Sequence, residues 1–119
     1  MTPTLTSDSI RNFVFQQVGH WNAGRQDEFM ALYRSVAPAG LTIEYVGLQT
    51  ATGDAAWAAL THMWSNYQAL VRLQLVECIV NGSDAACYFR NLRTKAQSLS
   101  AGIETYTFRD GTLHLRVFH

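Results

Sequence analysis

The stretch Ile103–His119, IETYTFRDGTLHLRVFH, contains two strand-like segments on either side of an Asp110-Gly111 pair. Apolar and polar residues alternate in both segments, and an Asp-Gly pair between such segments is typical of a tight β-hairpin. We expect this hairpin to lie in the interior of a sheet. The chain before it must then supply helices that cover the sheet and further strands that extend it.

Three upstream segments have apolar residues at helical spacing. We expect the first helix to begin at an N-cap on Ser7 and to end at Asn22-Ala23-Gly24, and the second to stop before Pro38 and Gly40. Thr52-Gly53-Asp54 should cap the third helix. The period changes to two residues in the segments 41–46, 70–80, 85–94, 99–108 and 112–118, which predicts one strand before the third helix and a four-strand meander after it.

Strands of ten or more residues are too long to stay flat in a domain of this size, so twist and a β-bulge are expected. Helices packed on a curled sheet leave space near its open end. The predicted fold is therefore a single α+β domain over residues 1–119, with three helices on a curved, mostly antiparallel sheet and a conical pocket between them.

Composition limits the possible partners. Nine basic and nine acidic residues cancel and no basic run occurs, which argues against nucleic-acid binding. Only 15% of the residues are charged and 48% are apolar, which favours a homodimer that covers apolar surface. No signal peptide or membrane span is recognisable, so a cytoplasmic protein is expected, with Cys78 and Cys87 as free thiols on neighbouring strands.

Several of these features occur together in one known superfamily. They are the element order, the Trp21-Asn22-Ala23-Gly24 link, the glycine at position 53 and the closing Phe108-Arg109-Asp110-Gly111 turn. The chain resembles the nuclear-transport-factor-2-like superfamily, and within it the SnoaL-like polyketide cyclase and ketosteroid isomerase branch. The resemblance implies a cystatin-like α+β cone, no metal or organic cofactor, and a homodimer formed through the outer face of the sheet.

The same resemblance assigns residues to a site. Glu104 matches the protonated acid of similar isomerases, and Gln17 stands where they have a first-helix tyrosine that helps to hold the enolate oxygen. Tyr45 occupies the place of their carboxylate base. One of the three positions keeps its chemistry, so the resemblance predicts a related pocket with a different catalytic set.

Independent of the resemblance, three residues have suitable chemistry. Glu104 shares a strand face with Tyr106 and Phe108, and a carboxyl among aromatic rings should have a raised pKa that suits proton transfer. The Tyr45 hydroxyl can donate to a developing oxyanion. His119, with an imidazole that titrates near neutrality, ends the last strand on the face of Leu113, Leu115 and Val117, which the resemblance turns inward.

Five further side chains are predicted to contact a ligand. The strand at 85–94 can present either Phe89 and Asn91 or Tyr88 and Arg90 to the pocket, and we expect the first pair because an unpaired buried Arg90 is costly. An inward Arg90 beside Glu104 would instead favour an anionic substrate. The expected ligand contacts, together with Gln17, are Trp57, Trp64, Phe89, Asn91 and Tyr106.

Two functions fit these residues. The first is a cofactor-independent isomerase, cyclase or dehydratase that acts by acid–base chemistry on a small apolar carbonyl or cyclic compound, with Glu104, Tyr45 and His119 as catalytic residues. The alternative is a non-catalytic domain that binds a small molecule or serves assembly. The absence of a carboxylate at position 45 favours the alternative, and an acid in an aromatic cavity favours the enzyme.

Overall fold

The computed structural model of the protein describes residues 5–94 and 98–118. The described chain contains three helices and six strands in a mixed order. They are α1 (Ser7–Ala23), α2 (Gln26–Val36), β1 (Gly40–Tyr45), β2 (Gln49–Thr52), α3 (Asp54–Tyr67), β3 (Val71–Asn81), β4 (Asp84–Arg93), β5 (Ser98–Arg109) and β6 (Thr112–Phe118).

The strands form one sheet in the order β2-β1-β6-β5-β4-β3. Every neighbouring pair is antiparallel except β1 and β6, which run parallel. The predicted hairpin, β5 and β6, thus occupies the centre of the sheet. Asp110 and Gly111 both have positive φ, at 53° and 78°, which is the backbone that a two-residue hairpin turn requires.

Four details differ from the sequence expectations or refine them. Strand β2 was not among the predicted strands, and it pairs antiparallel with β1 after a turn through Gly47. The N-cap of α1 is Thr6 and not Ser7, because the Thr6 hydroxyl accepts the Ser9 amide at 3.1 Å. The α3 N-cap is Gly53, with no side-chain cap. The expected bulge lies in β3 between Leu75 and Glu77.

The helices cover one face of the sheet, and the aromatic side chains between the layers form the core. Phe13 makes edge-on contacts with Tyr33, Tyr106 and Phe108, while Trp21, Phe29 and Trp64 form a second group with ring centroids 5.0 to 5.7 Å apart. The architecture is the predicted α+β arrangement of three helices on a mostly antiparallel sheet. Within residues 5–94 and 98–118, no helix is long and apolar enough to cross a membrane.

Candidate active site

Glu104 lies where the packed core gives way to solvent. The sheet register aligns it with inward-facing residues of four other strands, and we call this set the Glu104 row: Cys78, Cys87, Glu104, Val117 and Tyr45. The next such set is the Tyr106 row: Val80, Ala85, Tyr106, Leu115 and Ile43. Four of five residues are buried in the Tyr106 row and one of five in the Glu104 row. The sheet therefore opens at Glu104.

The Glu104 side chain faces inward, as the strand alternation predicted. Its neighbours two and four residues on, Tyr106 and Phe108, are buried, whereas Ile103 is half exposed on the other face. Burial raises the pKa of Glu104 to about 7, and a hydrogen bond from Tyr106 opposes that rise. No positively charged side chain of the described residues contributes to this pKa. Glu104 can therefore exchange a proton near neutral pH while it keeps partial access to solvent.

A chain of buried polar side chains lies behind Glu104. The Tyr33 hydroxyl of α2 donates to Gln17 Oε1 at 2.5 Å, and Gln17 Nε2 of α1 donates to the Tyr106 hydroxyl at 2.7 Å. We call Tyr33, Gln17 and Tyr106 the buried polar chain, since all three are at most 5% exposed. Both polar ends of the Gln17 amide are thus engaged within the protein.

Sequence reasoning placed Gln17 and Tyr106 at the site but did not include Tyr33. One signal was available at Gln17. A polar residue four positions after Phe13 and four before Trp21 lies on the buried stripe of its helix, where an amide needs partners. The sequence could not identify those partners, because Tyr33 and Tyr106 are 16 and 89 residues away.

Tyr45 is half-buried at the far end of the Glu104 row, on the same face as Leu41 and Ile43, as expected. Its pKa is raised, first by burial, then by the charge of Glu104 and then by Tyr67 at the end of α3. Tyr67 follows Trp57, Leu60 and Trp64 at helical spacing, yet it is 46% exposed. The phenol of Tyr45 is therefore a hydrogen-bond donor at neutral pH and a poor base.

The β4 register confirms that Phe89 and Asn91 face inward while Tyr88 and Arg90 face outward. Phe89 is buried in the core and Asn91 is partly exposed. Asn91 lies close to Gly102, because a Cβ atom at Gly102 would stand 3.1 Å from Asn91 Nδ2. The outward Arg90 removes the alternative in which this side chain would pair with Glu104.

The two tryptophans occupy different environments. Trp64 is 8% exposed and packs between Trp21 and Phe29, whereas Trp57 is partly exposed beneath the Arg34 guanidinium, 4.2 Å from the ring centroid. Trp64 is therefore part of the core, and Trp57 is the more accessible of the pair. Contact of either ring with a ligand stays a prediction. His119 lies outside the described residues.

Two free thiols lie beside the carboxyl. Cys78 and Cys87 are opposite each other on β3 and β4 with their Sγ atoms 3.5 Å apart, and Cys87 is the register partner of Glu104. Burial and the nearby Cys78 raise the pKa of Cys87, so its thiol stays protonated. The described residues contain no group of three or more His, Cys, Asp or Glu side chains that could hold a metal ion.

Other polar residues lie on the outer face of the sheet. Glu44 Oε1 accepts from His114 Nε2 and from Arg116 Nε, both at 3.1 Å. Arg116 is the largest cause of the lowered pKa of Glu44. His114 and Arg116 lie on this outer surface, separated from Glu104 by the sheet.

Two surface cavities lie away from the predicted site residues. One of about 480 Å³ surrounds the Asp110-Gly111 turn between the end of α2 and the β3–β4 turn, and another of about 570 Å³ lies where the start of β1 meets β6. Neither is lined by Glu104, Tyr45 or the buried polar chain. The conical pocket at Glu104 therefore stays a prediction.

Comparison with known proteins gives matches in structure only. No protein-family model matches the sequence, and no curated protein matches it. A candidate ketosteroid isomerase from Kribbella flavida DSM 17836 has a TM-score of 0.70 at 16% identity, covering 91% of this chain and 75% of its own. A candidate SnoaL-like polyketide cyclase from Jannaschia sp. CCS1 has a TM-score of 0.71 at 11% identity, with coverage of 99% and 90%.

A protein designed de novo with the NTF2 fold is equally similar, with a TM-score of 0.75 at 15% identity, covering 98% of this chain and 88% of the design. Identities this low establish the fold and leave the chemistry to the residues of the site. The expected resemblance is thereby confirmed at the level of architecture.

Proposed function

We propose that this chain, which has the nuclear-transport-factor-2-like fold shared by structures named as SnoaL-like cyclases and ketosteroid isomerases, is a cofactor-independent enzyme of isomerase, cyclase or dehydratase type. Glu104 is its proton carrier. The observation that carries the proposal is a partly accessible carboxyl with a pKa of about 7 at the open edge of an otherwise packed core. A carboxyl that titrates near neutrality can both remove and return a proton during one reaction cycle.

The environment of Glu104 supports a neutral, largely apolar substrate. The side chains that face Glu104 are phenols and a protonated thiol, from Tyr33, Tyr45, Tyr106 and Cys87. No described cation offsets the charge of a bound anion there, and a buried uncompensated anion is costly. A carbonyl oxygen, by contrast, can accept from the Tyr45 phenol while Glu104 acts at the adjacent carbon.

A panel of small neutral cyclic and unsaturated ketones tests this activity, with solvent deuterium exchange and double-bond migration followed by NMR. The wild-type protein should convert or exchange at least one member. Glu104→Gln should lower that rate by about 100-fold or more, as loss of a general acid–base group does. The matched control is Glu77→Gln, because Glu77 is exposed on β3. A Glu104→Gln rate within about threefold of wild type would remove Glu104 as the proton carrier.

A non-catalytic binding domain is the second candidate. Two observations favour it: Tyr45 stands where similar isomerases have a carboxylate, and the two cavities described above lie away from Glu104. In that case a neutral aromatic ketone should bind to the wild-type protein and to Glu104→Gln with equal affinity and without turnover. Binding that weakens as pH rises through the titration of Glu104, together with turnover, would instead support the enzyme.

We further propose a homodimer formed through the outer face of the sheet, in a cytoplasmic setting where Cys78 and Cys87 stay reduced. Exposed apolar side chains on β3, β4 and β5 support this, with Ile79 at 58% and Ile103 at 50% exposure. Sedimentation at tens of micromolar should show a dimer for wild type and a monomer for Ile103→Lys. Leu48→Lys is the control, since Leu48 is exposed on the β1–β2 turn. A monomeric wild type would contradict the proposal.

A further inference from the structure

The two cysteines of the chain lie in a geometry that fits a disulfide. Cys78 and Cys87 are register partners on β3 and β4, and their Sγ atoms are 3.5 Å apart. Opposite residues of an antiparallel pair have Cα atoms about 4.5 to 5.5 Å apart, and disulfides span Cα distances of about 4.4 to 6.8 Å. Bond formation brings the sulfur atoms to about 2.0 Å. Rotation of the two side chains can supply this approach, so the backbone is already in place.

The two thiols differ in their access to solvent. Cys78 is partly exposed, whereas Cys87 is 2% exposed and belongs to the core. Burial also raises the pKa of the Cys87 thiol, which makes it a slow nucleophile toward a reagent in solution. A reagent from solvent therefore meets Cys78 first, and Cys87 reacts with the sulfur that lies beside it.

The next inward-facing pair of the same two strands shows what packing alone needs. There Val80 is the register partner of Ala85, so small apolar side chains fill this part of the inner face. A buried cysteine can also serve as a small apolar residue, and that is the simplest alternative for Cys78 and Cys87. Packing does not require that both partners carry sulfur, that the sulfur atoms touch, or that one of them reaches solvent.

We propose that Cys78 and Cys87 are a redox-modification site, at which a low-molecular-weight disulfide closes a reversible bridge between β3 and β4. In a reducing setting the pair stays open, and it closes when small disulfides accumulate. Cys87 is the register partner of Glu104, so the bridge forms next to the proposed proton carrier. The proposal goes beyond the proposed function and does not depend on any activity of Glu104.

The reaction is thiol–disulfide exchange in two steps. The Cys78 thiol loses its proton to solvent, and its sulfur attacks one sulfur of the small disulfide, whose S–S bond breaks and releases one small thiolate. The Cys87 thiol then loses its proton, and its sulfur attacks Cys78 Sγ and releases the second small thiolate. Both thiolates take up protons. The protein is oxidised by two electrons, and the small disulfide is reduced to two thiols.

The experiment exposes folded wild-type protein to graded mixtures of oxidised and reduced glutathione, followed by alkylation of free thiols and mass spectrometry. Wild type should lose two hydrogen atoms without accumulating a glutathione adduct, and excess reduced glutathione should restore both thiols. Trypsin cuts after Arg72 and Arg90 and releases both cysteines in one peptide. Cleavage before Asp84 then gives two fragments that stay joined if the bridge is present.

Three variants identify the roles of the two thiols. Cys87→Ala should accumulate the glutathione adduct at Cys78, because no second thiol displaces it. Cys78→Ala should react at least about tenfold more slowly than Cys87→Ala, because its remaining thiol is buried. Cys78→Val combined with Cys87→Ala copies the neighbouring Val80 and Ala85 pair and should form neither product.

Urea unfolding provides a second readout on the same samples. A bridge restricts the unfolded chain, so the unfolding equilibrium constant of oxidised wild type should be about 100-fold lower than that of the reduced form. The double variant should show no change after the same treatment.

Three outcomes would overturn the proposal. The first is a wild type that stays reduced or accumulates the glutathione adduct as Cys87→Ala does. The second is a bridge that forms only after urea has unfolded the protein, and the third is an oxidised form that unfolds more easily than the reduced one. All three are measured on wild type, so they decide the proposal even if a variant does not fold.

Discussion

Glu44 and Glu104 lie in the same sheet, and their β6 partners, Arg116 and Val117, are neighbours in the chain. Glu44 faces outward and accepts hydrogen bonds from Arg116 and His114, which lower its pKa. Glu104 faces inward among phenols and a thiol, and burial raises its pKa to about 7. The pKa values of these two identical side chains are thus shifted in opposite directions, because the side chains lie on different faces of the sheet.

A carboxylate that stays ionised near a guanidinium can organise a surface, but it is a weak base at neutral pH. A carboxyl whose pKa lies near the ambient pH can transfer protons in both directions. The proposed proton transfer therefore belongs to the inner face of the sheet, and on the outer face Glu44 lies in an ion pair.

The largest expected effect on stability is at Glu104. Its folded-state pKa of about 7 lies above its usual value of 4.5, so between these values the folded protein binds more protons than the unfolded chain. The free energy of unfolding should fall as pH rises through this window, by about 3 kcal/mol if the unfolded pKa is normal. Glu104→Gln should abolish that loss and be more stable than wild type at about pH 8.

Urea unfolding at about pH 5 and about pH 8 measures this difference. Glu77→Gln, on the exposed face of β3, is the matched control and should keep the pH dependence of wild type. If the free energies of unfolding of wild type and Glu104→Gln change in parallel with pH, Glu104 and Glu44 do not differ in the way proposed.

The next effect concerns the buried polar chain that lies behind Glu104 on the inner face of the sheet. Gln17→Leu removes the partner of the Tyr33 and Tyr106 hydroxyls and leaves both buried without it. Each unsatisfied buried group costs about 1–3 kcal/mol, so the free energy of unfolding should fall by at least that amount. Gln16→Leu, one residue earlier on the exposed side of α1, should have little effect on the unfolding midpoint. Equal midpoints for both variants would contradict this assignment.

The smallest effect is expected at Glu44, with the opposite sign to Glu104. Its lowered pKa means that the ion pair stabilises the fold above the usual pKa of 4.5 and that this stabilisation is lost as pH falls through the folded pKa. Glu44→Gln should be slightly less stable than wild type at neutral pH, and added salt should narrow the difference because the pair is partly exposed. A difference that grows with salt would show that screening is not its cause.

Alternation alone predicted which face each residue of the central strands occupies. Glu104, Phe89 and Asn91 face inward and Arg90 faces outward because successive side chains in a strand point to opposite faces. The same rule could not locate the expected bulge, which lies at Val76 and lets Leu75 and Cys78 both face inward although they are three residues apart. Strand β2 was missed because its short sequence QTAT is polar and pairs only through the turn at Gly47.

The sequence by itself determined the helices, the central hairpin and the inward direction of the Glu104 carboxyl. These follow from the spacing of apolar residues within each segment, with a period of two residues in strands and 3.6 in helices. Only the tertiary structure decided that Tyr33, Gln17 and Tyr106 meet behind that carboxyl, and that Arg116 pairs with Glu44 across 72 positions. Proton affinity depends on these distant neighbours and on burial, and neither is encoded in local periodicity.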